Sequence, residues 1–382
     1  MYDIVVTTAF GIESVTASEL KTLGYSDYKV ENGKITLKGN DKDVAKLNMY
    51  LRTADRVYIK LNEFRAETFE DLFQGTLSIN FPDFLPRNAK MHVIGKSVKS
   101  KLFSVSDCQA IVKKAVVEAM KRKYKTDWFS EDGSTYKIEV ALLKDIATIS
   151  LDTSGIGLHK RGYRTMAGEA PLKETLAAAM VLLSKWTPDR QLIDPFCGSG
   201  TILIEAALIG KNIAPGLNRS FDAENWAHID KKIWNQIREK AKSEVNDLEF
   251  KLLGQDIDGK VLKVARENIK RAGVENLVFV QKLPMEELSS KKKYGCIICN
   301  PPYGERIGEI KQVEKLYKRM GEVFSKLDTW SYFILTNHLD FEKLFGKKAD
   351  KNRKLYNGKL LCYLYQYFGP LPPKKKHEVQ ND

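Results

Sequence analysis

The sequence predicts a mostly parallel, doubly wound α/β sheet of Rossmann-like type from about residue 170 onward, preceded by two small α+β units, the first of them ferredoxin-like. Three observations predict it. Beyond residue 170, short apolar runs alternate with helical segments, the pattern of a parallel sheet covered by helices on both faces. Residues 4–61 read β-α-β-α-β, an order that fits a ferredoxin-like unit. Between the two lies a segment with a basic helix and a hairpin, and 382 residues suffice for two or three domains of ~100–200 residues.

Residues 4–8 alternate as a first strand, and residues 14–23 form a helix with Val15, Leu20 and Leu23 on one side and Gly24 at its end. Residues 34–38 are the next strand, Asp41 caps a helix running to about Tyr50, and residues 56–61 close the unit near residue 65. A helix at 68–73, a strand at 90–95 and a helix from Asp107 to about Tyr124, capped by Ser106, open the second unit. Residues 136–143 and 146–152 pair as a hairpin around Lys144-Asp145. Pro171 opens an Ala-rich helix through Leu183, followed by a strand at 191–194 and a helix at 201–208. After an inserted, Trp-containing helical segment at 211–246 come a strand at 250–256, a helix at 260–272 and strands at 278–281 and 295–299. A helix at 312–327, a strand at 332–336 and a last strand near 362–367 complete the pattern. Asn357-Gly358 is a hairpin turn signal, so the last strand is expected to be antiparallel. The tail 374–382 is expected to be mobile.

Hydrophobic residues make up 43% of the chain and charged ones 29%, which fits a globular protein and excludes a disordered one. No run reaches ~18 uncharged apolar residues, and the N-terminus has no basic segment ahead of an apolar core. A cytoplasmic protein without membrane association is therefore expected. The five cysteines are widely spaced, Cys296-Ile-Ile-Cys299 lies in a strand-like run, and the histidines show no ligand spacing. Neither a disulfide framework nor a metal is expected. The net charge of +13 points to a polyanionic partner, with nucleic acid as the default. Residues 87–125 hold eleven Lys or Arg against Asp107 and Glu118 only. Lys96, Lys99, Lys101, Lys121, Arg122, Lys123 and Lys125 are the candidate phosphate neutralisers of an RNA-facing surface.

Asp194-Pro195-Phe196-Cys197-Gly198-Ser199-Gly200-Thr201 joins a strand to a helix through a turn with two glycines, which permit positive φ angles and close approach of a ligand to a helix N-terminus. A dinucleotide fingerprint needs a third glycine and a P-loop needs Gly-Lys-Ser/Thr; neither is present. The loop suits a carboxylate and a ribose rather than a pyrophosphate, which argues against a nicotinamide dehydrogenase. An acid at the next strand end can accept from both ribose hydroxyls, and Gly254-Gln255-Asp256-Ile257-Asp258 supplies it. Asp256 is the candidate, with Ile257 beside it, because Asp258 equally suits a helix N-cap.

Asn300-Pro301-Pro302-Tyr303 follows the apolar run that ends at Cys299 and therefore sits at the carboxyl end of a strand, where open α/β sheets bind ligands. An exocyclic amine of a nucleobase is a poor nucleophile, because its lone pair is delocalised into the ring. The Asn300 side-chain carbonyl and the Pro301 backbone carbonyl can each accept one N–H and favour a pyramidal nitrogen with its lone pair directed at an electrophile. Proline restricts itself and the residue before it, so these acceptors are held in place beforehand. Tyr303 supplies a flat face for an extruded base. The same four residues also suit a plain turn with a surface tyrosine. Together with the glycine loop and Asp256 on other strand ends, they read as a methyl-acceptor site.

These residues resemble a known family. The loop at Asp194, Asp256-Ile-Asp258 with Ala265-Arg-Glu-Asn268, and Asn300-Pro-Pro-Tyr-Gly-Glu-Arg306 resemble class I S-adenosylmethionine-dependent amino-methyltransferases. Leu151-Asp-Thr-Ser-Gly-Ile-Gly-Leu-His-Lys-Arg-Gly-Tyr-Arg164 and Ala170-Pro-Leu-Lys-Glu-Thr-Leu-Ala-Ala178 resemble the THUMP-containing methyltransferases, specifically those that modify guanine N2 in large-subunit ribosomal RNA. The resemblance implies a ferredoxin-like domain at 1–65, a THUMP RNA-binding domain at 66–155, a linker at 156–169 and a methyltransferase domain with a seven-stranded sheet at 170–382. It implies S-adenosylmethionine as cofactor, held by residues 194–201, Asp256, Ile257 and Asn300. It also implies an RNA partner, with Arg161 and Arg164 as further RNA-facing cations. Where many class I enzymes place an acid against adenine, this chain has Gln281-Lys-Leu-Pro284-Met285, so adenine is expected to be held by backbone groups or by apolar packing near Pro284 and Met285. Fused members carry an additional methyltransferase half; none is seen here, and a second activity is not expected. The rival readings are an adenine-N6 methyltransferase on DNA or RNA, a transfer RNA guanine-N2 methyltransferase, and a non-catalytic RNA-binding assembly factor.

Overall fold

The computed structural model describes residues 1–164, 172–304 and 310–373. Two compact units emerge: Met1–Arg161 with Ile213–Val245, and Gly162–Asn212 with Asn246–Asp382. The expected roles of Pro171, Arg306 and the tail lie outside the described residues.

The first unit runs β1 (Tyr2–Thr8), α1 (Glu13–Thr22), β2 (Tyr28–Glu31), β3 (Lys34–Gly39), α2 (Asp41–Tyr50), β4 (Ala54–Arg65), α3 (Phe69–Leu77), β5 (Lys90–Val98), α4 (Val105–Tyr124), β6 (Thr135–Leu143) and β7 (Ile146–Asp152). Its strands form one sheet in the order β2-β3-β1-β4-β7-β6-β5. The 12-residue β4 pairs with β1 and with β7, so the sheet continues across the expected boundary near residue 65. β2 is not expected from the sequence because it is a four-residue strand with no buried side chain. Two caps also differ from expectation. Asn40, not Asp41, starts α2: its side chain accepts from the Lys42 and Asp43 N–H groups, and Asp43 returns a bond to the Asn40 N–H. Ser104, rather than Ser106, precedes α4. At the β6–β7 hairpin Lys144 and Asp145 have φ of 52° and 64°, as a two-residue turn with the strands' own twist requires.

The second unit begins with α5 (Glu174–Ser184), β8 (Leu192–Asp194) and α6 (Thr201–Gly210). The chain then returns to the first unit, where α7 (Lys231–Ser243) packs beside α2. Residues 213–245, expected within a continuous domain from 170, belong to the first unit instead. Buried Trp226 accounts for this: its ring stacks on Tyr136 at 4.9 Å and its Nε1–H donates to the Thr135 carbonyl at 3.0 Å, while buried Trp234 stacks on Phe221 at 5.3 Å within the segment itself.

The second unit resumes with β9 (Leu252–Asp256), α8 (Gly259–Arg271), β10 (Val278–Lys282), β11 (Cys296–Cys299), α9 (Ile310–Phe324), β12 (Ser331–Thr336), α10 (Phe341–Phe345), β13 (Lys351–Asn357) and β14 (Leu360–Tyr367). Its sheet order is β10-β9-β8-β11-β12-β14-β13, parallel from β10 to β12, with β14 antiparallel to both neighbours. The seven-stranded, mostly parallel sheet thus has the antiparallel end that Asn357-Gly358 signals. The edge strand β13 is too polar to be read from the sequence. Cys296 and Cys299 are buried in β11 and fill the core. Among the described residues no helix is long and apolar enough to cross a membrane. Gly321 of α9 marks a close approach: a Cβ there would lie 2.0 Å from the Phe345 carbonyl oxygen. Gly321→Ala is expected to destabilise the protein by about 1–3 kcal/mol, read from urea unfolding.

Candidate functional site

In the second sheet β8 lies between β9 and β11, and the chain goes to β9 on one side and β11 on the other. The crevice at such a switch point, beyond the carboxyl strand ends, is where open α/β sheets take ligands. Asp194 ends β8, Asp256 ends β9, and Asn300 follows β11. Three neighbouring strand ends therefore carry the three candidate motifs.

Asp194 is 1% exposed, and its carboxylate accepts the Phe196 N–H at 3.0 Å. Burial pushes its carboxyl well above 3.8; the Phe196 N–H opposes this and the nearby Asp256 charge adds to it. An acid raised in this way binds more protons folded than unfolded, so its contribution is present at low pH and lost as pH rises through the folded pKa. Asp194→Asn is accordingly expected to raise the melting temperature of the ligand-free protein at pH 7–8 but little at pH 4. Thermal melts across that range check this.

Gly198 and Gly200 have φ of +51° and +83°, so the loop takes a path that other residues resist. It is tied from three sides. The Cys197 N–H donates to the Gln255 carbonyl at 2.9 Å, the Gly198 N–H to Asp256 Oδ2 at 3.0 Å, and Asn268 Nδ2 of α8 to the Ser199 carbonyl at 3.1 Å. A Cβ added to Gly198 would meet nothing within 4 Å, so there is open space beside that residue. Asp256 Oδ1 accepts the Asp258 N–H at 2.9 Å, and Asp258 caps α8 through the Lys260 N–H at 2.8 Å. Each Asp256 oxygen keeps acceptor capacity for a ligand hydroxyl. Beside it Ile257 is 69% exposed, an apolar surface available to a flat ring. Pro284 is half-buried, but Met285 is buried in the core with Ile193, Leu288 and Ile297. The expected packing of the Met285 side chain on adenine is therefore corrected; the core has taken that apolar side chain.

At the third strand end the Tyr303 hydroxyl donates to Asn300 Oδ1, and the Cys362 thiol approaches the Tyr303 oxygen at 3.7 Å. Burial, with Cys362 beside it, pushes the Tyr303 hydroxyl above the usual phenol range, so it stays a neutral donor. Its ring is half-buried rather than an open face. The Tyr317 hydroxyl of α9 lies 2.7 Å from the Pro302 carbonyl, to which it donates, and 2.8 Å from Thr336 Oγ1. Tyr317 and Asn268 thus hold the two loops. Each is a polar group on the buried face of a helix, which was the available sequence signal.

The candidate RNA-facing cations divide. Lys96 pairs with Glu139 at 2.9 Å, Lys101 with Glu67, and Lys121 with Glu118 and Asp127 at 3.3 and 3.4 Å. Lys99, Arg122, Lys123 and Lys125 are exposed and form no ion pair among the described residues. Arg161 and Arg164 depart from the expectation. Arg161 is buried and donates to the Leu158 carbonyl at 2.6 Å and to the Arg52 carbonyl. Arg164 donates to the Leu172 carbonyl at 3.0 Å and to Thr201 Oγ1, with Glu174 at 3.6 Å from its Nε. Both guanidiniums are engaged internally, and Arg164 braces the N-terminus of α6.

Comparison with known proteins shows the family. Residues 161–366 match the RMKL-like methyltransferase domain, residues 3–58 the RlmL ferredoxin-like domain and residues 66–152 the THUMP domain. The chain is 49% identical over 378 residues to a putative RNA methyltransferase, YpsC, of Bacillus subtilis, covering 98% of each. It is 34% identical over 375 residues to the ribosomal RNA large subunit methyltransferase K/L of Legionella pneumophila, where it spans 52% of that protein. The solved structure of SMU.472, a putative methyltransferase complexed with SAH, superposes with a TM-score of 0.93 at 46% identity, covering 97% of this chain and 99% of that one.

Proposed function

The chain belongs to the RMKL-like methyltransferase family and is an S-adenosylmethionine-dependent RNA methyltransferase, and from that premise we propose that it methylates the N2 amine of a guanine in 23S ribosomal RNA. The juxtaposition of Asp194, Asp256 and Asn300 on neighbouring strand ends carries the transfer of a methyl group to an amine, and the similarity to a ribosomal RNA large subunit methyltransferase supports the ribosomal target. The site suits the cofactor. The loop at Gly198 leaves open space, Asp256 offers acceptors for ribose hydroxyls, and exposed Ile257 offers an apolar face beside them. When bound there, the cofactor supplies an electrophilic methyl group on a sulfonium.

The rest of the chemistry belongs to Asn300 and its neighbours. The target amine donates one N–H to Asn300 Oδ1 and the other to the Pro301 carbonyl, which turns its lone pair out of the base plane. Asn300 Oδ1 has two lone pairs, so the Tyr303 hydroxyl can share it or yield it when the base enters. Tyr317 holds the Pro302 carbonyl and keeps the Pro-Pro turn rigid. Holding both reactants in attack geometry supplies up to about 7–11 kcal/mol. The base is unpaired or extruded first, at a cost of a few kcal/mol. After transfer the nitrogen is cationic and loses its proton to water without a dedicated base. Incubation with methyl-labelled S-adenosylmethionine and separate pools of ribosomal RNA, transfer RNA and DNA tests the assignment. Label should enter large-subunit RNA; label confined to transfer RNA or to DNA overturns it.

A further inference from the structure

The chain has five tryptophans, and four of them, Trp186, Trp226, Trp234 and Trp330, are buried. Trp128 is 72% exposed. Phe103 is exposed as well, but Trp128 offers the larger flat face, and it stands next to the basic end of α4. Its backbone is nonetheless fixed, because Thr126 Oγ1 accepts the Trp128 N–H at 3.3 Å and donates to the Trp128 carbonyl at 3.0 Å. The ring therefore projects from an anchored turn.

That turn follows Lys125, which ends α4 with φ of 50°. The loop after it is stitched to the segment leading into β5. The Gly133 N–H donates to the Asn88 carbonyl at 2.9 Å, the Lys90 N–H to the Ser134 carbonyl at 3.0 Å, and the Tyr124 hydroxyl to the Leu85 carbonyl at 3.0 Å. These bonds bring Arg87 and Lys90 to the same end of the unit as Arg122, Lys123 and Lys125. All five are exposed, and none forms an ion pair among the described residues. The acids nearby are already engaged: Glu118 and Asp127 with Lys121, Glu131 with Lys113, and Asp132 with Ser130 and Asn88.

We propose that this end of the first unit is a stacking platform for an unpaired segment of RNA, with Trp128 against a base and Arg87, Lys90, Arg122, Lys123 and Lys125 along the phosphates. It rests on the RNA reading above and adds to it a single-strand-selective contact. An indole face accepts any base, and unmatched cations beside it follow the backbone, which is how sequence-tolerant single-strand sites work.

The test uses the full chain saturated with S-adenosylmethionine and an unstructured oligoribonucleotide, followed by tryptophan fluorescence. Because the other four indoles are buried, quenching by RNA and protection from acrylamide report on Trp128. Trp128→Ala is expected to weaken single-strand binding about 5- to 150-fold without changing cofactor affinity. The double change Arg122→Ala with Lys123→Ala should lower the salt slope by ~0.7 for each cation removed. Binding without quenching, wild-type affinity in Trp128→Ala, or equal binding of a duplex overturns the proposal. Its failure is separable from failure of the functional reading. RNA that binds and quenches but is never methylated contradicts only the chemistry, and methylation with an unaffected Trp128→Ala contradicts only the platform.

Discussion

Asn300→Ala is expected to lower the rate of methyl transfer by at least roughly 10²–10³-fold while leaving cofactor affinity near that of the wild type. The change removes a side-chain acceptor at the end of β11 that can take an amine N–H and leaves the Pro301 backbone carbonyl. It also frees the Tyr303 hydroxyl, which loses its partner at Asn300 Oδ1 and keeps only the weak approach of Cys362. Single-turnover transfer from labelled S-adenosylmethionine, with calorimetric titration of the cofactor alongside, separates the two effects. A variant with near-normal turnover removes Asn300 from the chemistry.

Asp256→Ala should give the opposite split, with cofactor binding weakened by roughly tenfold or more and turnover at saturating cofactor much less affected. Two losses combine. The ribose hydroxyls lose a charged acceptor, and the Gly198 N–H loses the bond that holds the glycine loop against β9. Calorimetry measures it directly. If affinity were unchanged, Asp256 would be a turn-capping residue only, serving the Asp258 N–H.

The parts of this molecule that were legible in its sequence are those written in local terms. Apolar runs bounded by glycine or proline place β8, β9 and β11 with their three motifs, and Asn357-Gly358 marks the β13–β14 turn even though the polar β13 itself is not recognisable. What the sequence does not carry is long-range packing. Nothing local in residues 213–245 says that Trp226 will stack on Tyr136 and donate to the Thr135 carbonyl, which makes the insertion part of the first unit. The same limit explains Arg161 and Arg164. Their charge reads as a nucleic-acid contact, but backbone carbonyls at Leu158, Arg52 and Leu172 accept from them inside the fold. Met285 stands just after a strand, where a surface role was reasonable, and the core takes it. Nothing in the sequence marks Trp128 as the exposed one of five tryptophans, because exposure is decided by where the other four find partners.

The most direct test of the central claim is mass spectrometry of nucleosides from 23S ribosomal RNA incubated with the protein and S-adenosylmethionine, with Asn300→Ala as the blank. New N2-methylguanosine is expected with the wild type and none with the variant. New N6-methyladenosine in its place, or the same N2-methylguanosine from both proteins, would contradict it.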